Sequence, residues 1–279
     1  MGSIEEFEAA RPRLLSLAHR MLGSAHDAED AVQTTWLRAQ AAPRDGLDNP
    51  DAWLTTITTR VCLDQLRARR RRGEVAPLAA ELPAAQLAAD EDFLRREDVS
   101  RALLVLLARL PPAQRVAYVL HDLFAVPFGQ VAAILGTTPG NAKKLASRAR
   151  ARIGGGEEVP GASSQHREVV AAFLSAARGG DLHRMVALLA PDCVRTADAA
   201  LLPPGAATTV TGAVAIAAET GLFADRIRAS APMRLDGRAV DVIAPGGHPL
   251  AAIEVATRGT RISRITITRI GAADVLAAA

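Results

Sequence analysis

Apolar side chains in the first part of the chain recur every three or four residues, which is the spacing of helices that bury one face. Residues 1–72 hold three such segments. The second is predicted to begin at Ser24, because Ser24 and Asp27 have the Ser-x-x-Asp form of a helix N-terminus. The third opens at Pro50, and its period predicts a buried stripe of Ala52, Trp53, Ile57, Val61 and Leu66.

The helical pattern continues in shorter segments between residues 93 and 153. A leucine-rich segment ends at Pro111-Pro112, because proline cannot continue a helix. Gly136 and Thr138 mark a turn between the last two segments. The pattern predicts further helices at 113–124, 128–135 and 139–152.

The pattern changes after residue 165, where β-branched residues become frequent. Asp236-Gly237 predicts a hairpin turn, and His248, which follows two glycines, is predicted to lie in an exposed loop. The last strand is predicted to alternate between two faces through Ile262, Ile265, Ile267 and Ile270. Helices are predicted at 166–178, 182–189 and 213–225, and strands at 239–244, 250–257 and 261–270.

Segments rich in turn-forming residues divide the chain. One has two prolines and little periodicity, and a later one combines three glycines with a proline and paired serines. The predicted fold class is therefore multidomain, with two all-α helical modules followed by an α+β domain. The predicted boundaries are a helical domain 1–72, a linker 73–92, a helical domain 93–153, a linker 154–164 and the α+β domain 165–279.

Composition excludes several classes of protein. No uninterrupted apolar run approaches the roughly 18 residues of a membrane span. Cys62 and Cys193 lie far apart, so neither a disulfide framework nor a zinc module built on cysteine pairs is expected, and the expected setting is the cytoplasm. No phosphate-binding glycine loop, metal-ligand cluster or nucleophile–base arrangement is evident, so no cofactor is expected.

The net charge of +3 is unevenly distributed. Residues 1–155 contain 21 basic and 18 acidic side chains, whereas residues 156–279 contain 12 of each. The basic excess concentrates in RARRRR at 67–72 and KKLASRARAR at 143–152. Two basic clusters in one half of the chain favour a polyanionic partner for that half.

Residues 128–152 have the form of a helix-turn-helix, with a glycine ending the first helix and a threonine able to cap the second. Ala142, Leu145, Ala149 and Ile153 are predicted to face inward. The alternative is a basic amphipathic helix packed in a bundle. If the segment binds DNA, the residues placed to reach base edges are Thr138, Asn141, Lys143, Lys144 and Ser147, and those placed to meet phosphates are Arg148, Arg150 and Arg152.

Two other surfaces have both a structural and a functional interpretation. The acidic face of the second helix is either a solvated face or a protein-docking surface anchored by an exposed Leu37. The arginine run at 67–72 either complements a helix C-terminus or contacts phosphates. Trp53 is either a core residue or a side chain that stacks on a base.

The signatures AEDAVQTTWLR and AWLTTITTRVCLDQLR, in this order before the helix-turn-helix, resemble the extracytoplasmic-function sigma factors of bacterial RNA polymerase. The resemblance covers region 2 at 7–72 and region 4 at about 94–153. It implies polymerase docking through Asp27, Asp30, Gln33, Trp36 and Leu37. It implies reading of the −10 element by Asn49, Trp53, Thr56, Thr59, Arg60, Asp64 and Arg67. It implies reading of the −35 element by Thr138, Pro139, Asn141, Lys143, Lys144, Ser147, Arg148 and Arg150.

The partners implied are promoter DNA and the polymerase core, through the clamp of its largest subunit and the flap of its second-largest subunit. The segment HREVVAAFLSAARGGDLHRMVALLAPDCV is similar to the opening of SnoaL-like domains, which have a cone-shaped α+β fold. A subgroup of these sigma factors carries such a domain as a regulatory extension, which implies a small-molecule or protein regulator as a further partner.

Two alternatives to a sigma factor stay open from the sequence. One is a SnoaL-like enzyme or ligand-binding domain fused to a vestigial sigma portion, and the other is a DNA-binding regulator without polymerase contact. A proton-transfer site would need a carboxylate or histidine in an apolar cavity with a donor opposite. The candidates Asp198, Asp236, Asp241 and His248 form no signature, so the chain is not expected to be an enzyme.

Overall fold

The computed structural model describes residues 2–42, 48–97, 99–154 and 164–279. The chain forms two compact units. The helical unit contains residues 1–77 and 82–156, and the C-terminal unit contains residues 78–81 and 157–279.

Several helices of the helical unit begin at a side-chain cap. Ser24 accepts a hydrogen bond from the amide of Asp27 at 3.3 Å, and Asn49 accepts one from the amide of Ala52 at 2.9 Å. The π-helical turn Val119–Leu123 extends the sixth helix. In order, the helices are α1 Gly2–Leu22, α2 Ala25–Ala41, α3 Pro50–Arg71, α4 Ala84–Glu97, α5 Arg101–Ala108, α6 Pro112–Tyr118, α7 Phe128–Leu135 and α8 Pro139–Ile153.

Part of the predicted linker 73–92 is helical, since α4 begins at Ala84. Its buried Asp90 accepts a hydrogen bond of 2.6 Å from the amide of Ala25 at the first turn of α2. Phe93 and Leu94 are buried beside it. The Asp90 carboxylate at the N-terminus of α2 and the two buried apolar side chains fix α4, although the alanine-rich sequence of α4 shows little periodicity.

The buried face of α3 differs from the predicted stripe. Ala52, Trp53 and Ile57 are only half-buried. Thr58 and Thr59 are fully buried instead, and their hydroxyls donate to the carbonyls four residues earlier at 2.9 and 2.7 Å. A threonine that satisfies its hydroxyl within its own helix packs like a small apolar side chain. The buried set is Leu54, Thr55, Thr58, Thr59, Val61, Cys62, Leu63 and Leu66.

The two predicted helical modules share one hydrophobic core. Leu14 and Leu17 of α1 and Leu63 of α3 belong to the same buried cluster as Val116 and Leu120 of the second module. Residues 1–77 and 82–156 therefore form one packed body in this structure.

The C-terminal unit packs helices on a mixed sheet of seven strands, so the expected α+β architecture is confirmed. The strand order is β2-β1-β6-β5-β4-β3-β7, and only the β1–β6 pair is parallel within the described chain. The helices are α9 Ser164–Gly179, α10 Leu182–Leu188, α11 Ala213–Leu222 and α12 Ala224–Arg228. The strands are β1 Leu189–Ala197, β2 Thr209–Thr211, β3 Ser230–Leu235, β4 Arg238–Ile243, β5 Ala251–Arg258, β6 Arg261–Arg269 and β7 Leu276–Ala278.

Local turns confirm one prediction and correct another. Asp236 and Gly237 have φ values of 50° and 83° and join β3 to β4, as the hairpin prediction required. The strict alternation predicted for β6 was wrong, because Ile262 and Ile265 are both buried although they lie three residues apart. The pairing of β5 with β6 shifts in register between Ala256 and Thr257, so β6 carries one extra residue between Ile262 and Arg264, as in a β-bulge.

The segment 78–81 belongs to the C-terminal unit, although it lies in sequence between the two helical modules. The amide of Ala79 donates to the carbonyl of Pro249 at 3.0 Å, and Leu78 and Ala79 are buried. The prediction of an exposed His248 was wrong, since it is 7% exposed. Gly246 and Gly247 adopt φ of 61° and 86°, which folds this loop inward.

Candidate nucleic-acid interface

The helix-turn-helix forms at the predicted residues. Gly136 adopts φ of 66° at the end of α7, a left-handed conformation that glycine reaches without strain. Thr138 accepts a hydrogen bond from the amide of Asn141 at 3.2 Å and so caps α8. The side-chain amide of Asn141 donates to the hydroxyl of Thr137 at 2.8 Å. The turn and the start of α8 are therefore held by local bonds.

Three alanines hold α8 against the rest of the helical unit. Ala142, Ala146 and Ala149 have no exposed surface, whereas Leu145 and Ile153 are only half-buried. The predicted inward set was thus right at two alanines, missed Ala146 and overstated the two larger residues. Small side chains let α8 approach its neighbours closely, which leaves longer side chains to the outer face.

The outer face of α8 is basic. Every residue that the resemblance assigns to the −35 element is exposed: Thr138, Pro139, Asn141, Lys143, Lys144, Ser147, Arg148 and Arg150. Two of the helix's cations have intramolecular partners. Arg150 pairs with Asp122 at 2.6 Å, which raises the pKa of the arginine, and Arg152 donates to the Gln114 side chain at 2.8 Å. Within the described chain, Lys143, Lys144 and Arg148 have no ion pair.

Five of the side chains assigned to the −10 element lie on one face of α3. Trp53, Thr56, Arg60, Asp64 and Arg67 follow the spacing i, i+3, i+7, i+11 and i+14, which keeps them within one helical stripe. The last three are exposed and the first two are half-buried. Asn49 is exposed at the start of the same helix, where its side chain forms the cap.

Thr59 does not belong to that face. It is fully buried, and its hydroxyl donates to the Thr55 carbonyl. It also lies about 100° around the helix from Arg60, as successive helical residues do. The structure therefore does not place Thr59 on the exposed face with the other residues assigned to the −10 element; in this fold Thr59 supports the helix.

The helix period splits the arginine run at the end of α3. Arg69 turns inward, pairs with Asp27 at 2.7 Å and donates to the Leu22 carbonyl at 3.4 Å. Arg67, Arg70 and Arg71 are exposed and have no ion pair among the described residues. The run thus contributes both a structural bond and an outward basic patch.

The acidic face of α2 borders a shallow groove beside α1. Asp30 and Gln33 are exposed, and Leu37 is 59% exposed. Trp36 is half-buried, with its ring 4.8 Å from that of Phe7. Asp27 differs from the other residues assigned to polymerase docking, since its carboxylate is already paired with an arginine. The exposed part of this surface therefore consists of the apolar Leu37 side chain and the polar side chains of Asp30 and Gln33.

A buried arginine that the sequence did not single out joins the two helical modules. Arg115 of α6 donates to the Met21 carbonyl of α1 at 2.8 Å and to the Leu110 carbonyl at 3.5 Å. Its burial lowers its pKa to about 10. The only signal in the sequence is a cation inside the apolar segment 110–120.

The helix-turn-helix is capped and has a basic outer face, and a second helical module carries its own exposed polar stripe. This combination is typical of DNA-binding transcription proteins that contact DNA through two modules. Residues 7–72 match sigma-70 region 2, and residues 100–153 match sigma-70 region 4.

Among curated proteins, the chain is 42% identical over 223 residues to the ECF RNA polymerase sigma factor SigJ of Mycobacterium tuberculosis, covering 75% of this chain and 69% of SigJ. It is 35% identical over 199 residues to SigI of that species, a probable ECF sigma factor, covering 69% of each chain. The chain belongs to the extracytoplasmic-function family of RNA polymerase sigma factors.

Among solved structures, the chain aligns with the crystal structure of M. tuberculosis SigJ over 96% of both chains, with a TM-score of 0.45 and 33% sequence identity. Over the part of the chain that the structure describes, no helix is long and apolar enough to cross a membrane. The same residues contain no group of three or more histidine, cysteine or carboxylate side chains arranged to hold a metal ion.

Proposed function

We propose that this sigma factor docks on core polymerase through α2 and reads the promoter through α3 and α8. The observation that carries the proposal is the separation of exposed chemistry on the helical unit. Lys143, Lys144 and Arg148 present cations on α8, whereas Asp30 and Leu37 present a carboxylate and an apolar anchor on α2. One surface suits DNA and the other suits a protein.

The first half of α8 is the proposed −35 reader. Residues near the N-terminus of a recognition helix reach base edges, while those further along meet phosphates. We therefore assign base contacts to Asn141, Lys144 and Ser147, and phosphate contacts to Lys143 and Arg148. Arg150 is a weaker candidate, because Asp122 already neutralises it.

The stripe on α3 is the proposed −10 reader. Trp53 offers an aromatic surface on which an unpaired base can stack. Arg60 and Arg67 can neutralise phosphates, and the Thr56 hydroxyl, which donates to the Ala52 carbonyl at 2.8 Å, can accept a hydrogen bond. Asn49 lies at the end of the helix nearest Trp53 and extends the same surface.

Docking on the clamp of the largest polymerase subunit is proposed for Asp30, Gln33, Trp36 and Leu37. The second module would contact the flap of the second-largest subunit. Replacing Asp30 and Leu37 by alanine should weaken core binding at least tenfold, while binding of the free protein to −35 DNA stays unchanged. A pull-down with core and a fluorescence-anisotropy titration of DNA separate these effects; equal loss in both assays would contradict a separate docking surface.

Promoter binding requires the two helical modules to separate. The −10 and −35 elements are centred about 25 base pairs apart, or roughly 85 Å of B-form DNA. A compact body of about 150 residues has a radius of gyration of roughly 15 Å, and hence a diameter of about 40 Å. We propose that the bond between Arg115 and the Met21 carbonyl breaks when both elements are bound.

The C-terminal unit is proposed to regulate the helical unit by holding the segment 78–81. Leu78 is 8% exposed in that unit, while Val75 nearby is 72% exposed. Leu78→Asp should release the segment and change promoter-dependent transcription at least threefold, and the control Val75→Asp should not. Equal transcription by both variants and the parent chain, measured on one promoter, would exclude this mode of regulation.

We also propose that the C-terminal unit has no catalytic role. Two carboxylates that the sequence offered as candidates hold the fold instead: Asp198 accepts a hydrogen bond from the Arg269 amide at 2.7 Å, and Asp236 accepts one from the Val275 amide at 3.1 Å. Burial raises the pKa of Asp241, which faces Arg178 at 4.0 Å. The hydrogen bonds of Asp198 and Asp236 support a structural role for these two residues.

A further inference from the structure

A cavity of about 70 Å³ lies inside the C-terminal unit, between its helices and the sheet. Its interior is apolar, with Phe173 from α9 and Ile253, Ile265 and Ile267 from β5 and β6. Pockets for drug-sized ligands measure about 300–1,000 Å³, so this cavity suits a ligand of only a few non-hydrogen atoms.

An ion pair forms part of the wall of this cavity. Arg195 of β1 is 4% exposed, and its guanidinium faces the carboxylate of Glu219 from α11. Burying two charges costs several kcal/mol per ion unless their hydrogen bonds are satisfied. The hydrogen bonds that satisfy this pair therefore decide which groups the wall still offers to a ligand.

Every N–H of Arg195 is already used. Nε donates to Glu219 Oε2 at 3.0 Å, and Nη1 donates to the carbonyls of Ala207 and Thr208 at 3.1 and 3.0 Å. Nη2 donates to the Ala207 carbonyl at 3.1 Å and to Glu219 Oε1. A guanidinium has five N–H donors, so Arg195 has none left for a ligand acceptor.

Glu219 keeps unused accepting capacity. Its two oxygens offer about four lone-pair positions, and Arg195 occupies two of them. The Glu219 side chain is 20% exposed and lines the cavity. A hydrogen-bond donor on a ligand is therefore satisfied by Glu219, whereas Arg195 offers no N–H group to an acceptor.

The same pair determines the charge of the ligand. Because Arg195 neutralises Glu219, a cationic ligand would bring an unbalanced charge into an apolar cavity, which is costly. An anionic ligand would face a carboxylate and no available donor from Arg195. Arg226 also lines the cavity, but it is exposed, so solvent screens its charge. It lies over the Phe223 ring at 5.4 Å and donates to the Leu201 carbonyl at 2.6 Å.

We propose that this cavity binds a small neutral molecule with an apolar body and one hydroxyl or N–H group that donates to Glu219. The apolar body packs on Phe173 and the isoleucines of β5 and β6. This proposal goes beyond promoter recognition and does not depend on it, because binding is measured without polymerase or DNA.

The test uses three probes of one size on the full chain: 1-butanol, butanoate and butylammonium. Chemical shifts of the Ile253, Ile265 and Ile267 δ1 methyl groups are followed by NMR during titration. We expect saturable shifts with 1-butanol, and affinities at least tenfold weaker for both charged probes. Absence of saturation with 1-butanol, or equal affinity for butanoate, would overturn the proposal.

Two substitutions sharpen the test. Ala197→Leu adds bulk to the cavity wall and should abolish the shifts, while Ala199→Leu, outside the cavity and exposed, should leave them unchanged. Glu219→Gln leaves the Arg195 charge unbalanced, so the preference for 1-butanol over butanoate should fall at least tenfold. Equal binding to the two leucine variants, or an unchanged preference in a folded Glu219→Gln protein, would count against this site.

Discussion

The two helices proposed to read DNA, α3 and α8, are fixed to the same core by different means. On α8, Ala142, Ala146 and Ala149 are buried and the cations point outward. On α3, Thr58 and Thr59 are buried with their hydroxyls bonded within the helix. The proposed binding face of α8 can therefore be recognised from its charged residues. The proposed binding face of α3 can be recognised only when the buried threonines are known.

This difference separates two kinds of DNA contact. A row of lysines and arginines binds the phosphate charge of a duplex, and its strength follows the salt concentration. The stripe of Trp53, Thr56, Arg60, Asp64 and Arg67 contains an aromatic ring and a carboxylate, which suits unpaired bases more than a uniform phosphate surface.

The largest expected effect is on the packing of α8. Ala146→Asp places a charge where no surface is exposed, and it should lower the free energy of unfolding by about 3 kcal/mol or more. Ala151→Asp, on the exposed side of the same helix, should change it by less than about 1 kcal/mol. Urea denaturation measures both, and similar losses would mean that α8 is not held by its alanine face.

The next effect concerns the charge of α8. Replacing Lys143 and Lys144 by alanine should weaken binding to −35 DNA about 10–100-fold at physiological salt. Each lost phosphate contact reduces the log–log salt slope by about 0.9, so loss of the contact assigned to Lys143 should lower the slope by about 1. Anisotropy titrations at several salt concentrations measure it, with Arg95→Ala as a control because Arg95 lies on α4 and pairs with Asp92. An unchanged slope would contradict the assignment.

A smaller effect distinguishes two threonines of α3. Thr56→Val should reduce opening of a −10 duplex about threefold to tenfold, because a hydroxyl on the reading face is lost. Thr59→Val should leave opening unchanged and shift the free energy of unfolding by about 1 kcal/mol. Fluorescence of 2-aminopurine in the −10 element reports opening by the holoenzyme; a larger defect for Thr59→Val would place the reading face elsewhere.

The smallest effect tests the inward arginine of α3. Asp27 and Arg69 are each about 30% exposed, and such a pair contributes about 0–1 kcal/mol. Asp27→Ala should therefore lower the unfolding free energy by no more than about 1 kcal/mol and weaken core binding less than Asp30→Ala does. A core-binding defect for Asp27→Ala as large as that for Asp30→Ala would show that Asp27 docks directly.

The sequence predicted the parts of the fold that depend on local chemistry. The cap at Thr138, the left-handed Gly136 and the bounds of α7 and α8 follow from single residues and short periods. The α+β class of the last 115 residues followed from the switch to β-branched residues.

Long-range contacts were not predictable in this way. Arg115 finds its partner Met21 94 positions earlier in the chain, and Asp90 caps a helix 65 positions before it. The buried side of α3 depends on which face meets α1 and α2, so the period alone placed Trp53 in the buried stripe and did not include Thr59. The assignments of base and phosphate contacts stay predictions.

The most direct test is run-off transcription from a matching genomic promoter by the full chain, with and without core polymerase. We predict a defined transcript only when both proteins are present, and its loss when Lys143 and Lys144 are replaced by alanine. Initiation that does not require this chain, or no core-dependent transcript at any promoter to which the holoenzyme binds, would contradict its role as an initiation factor.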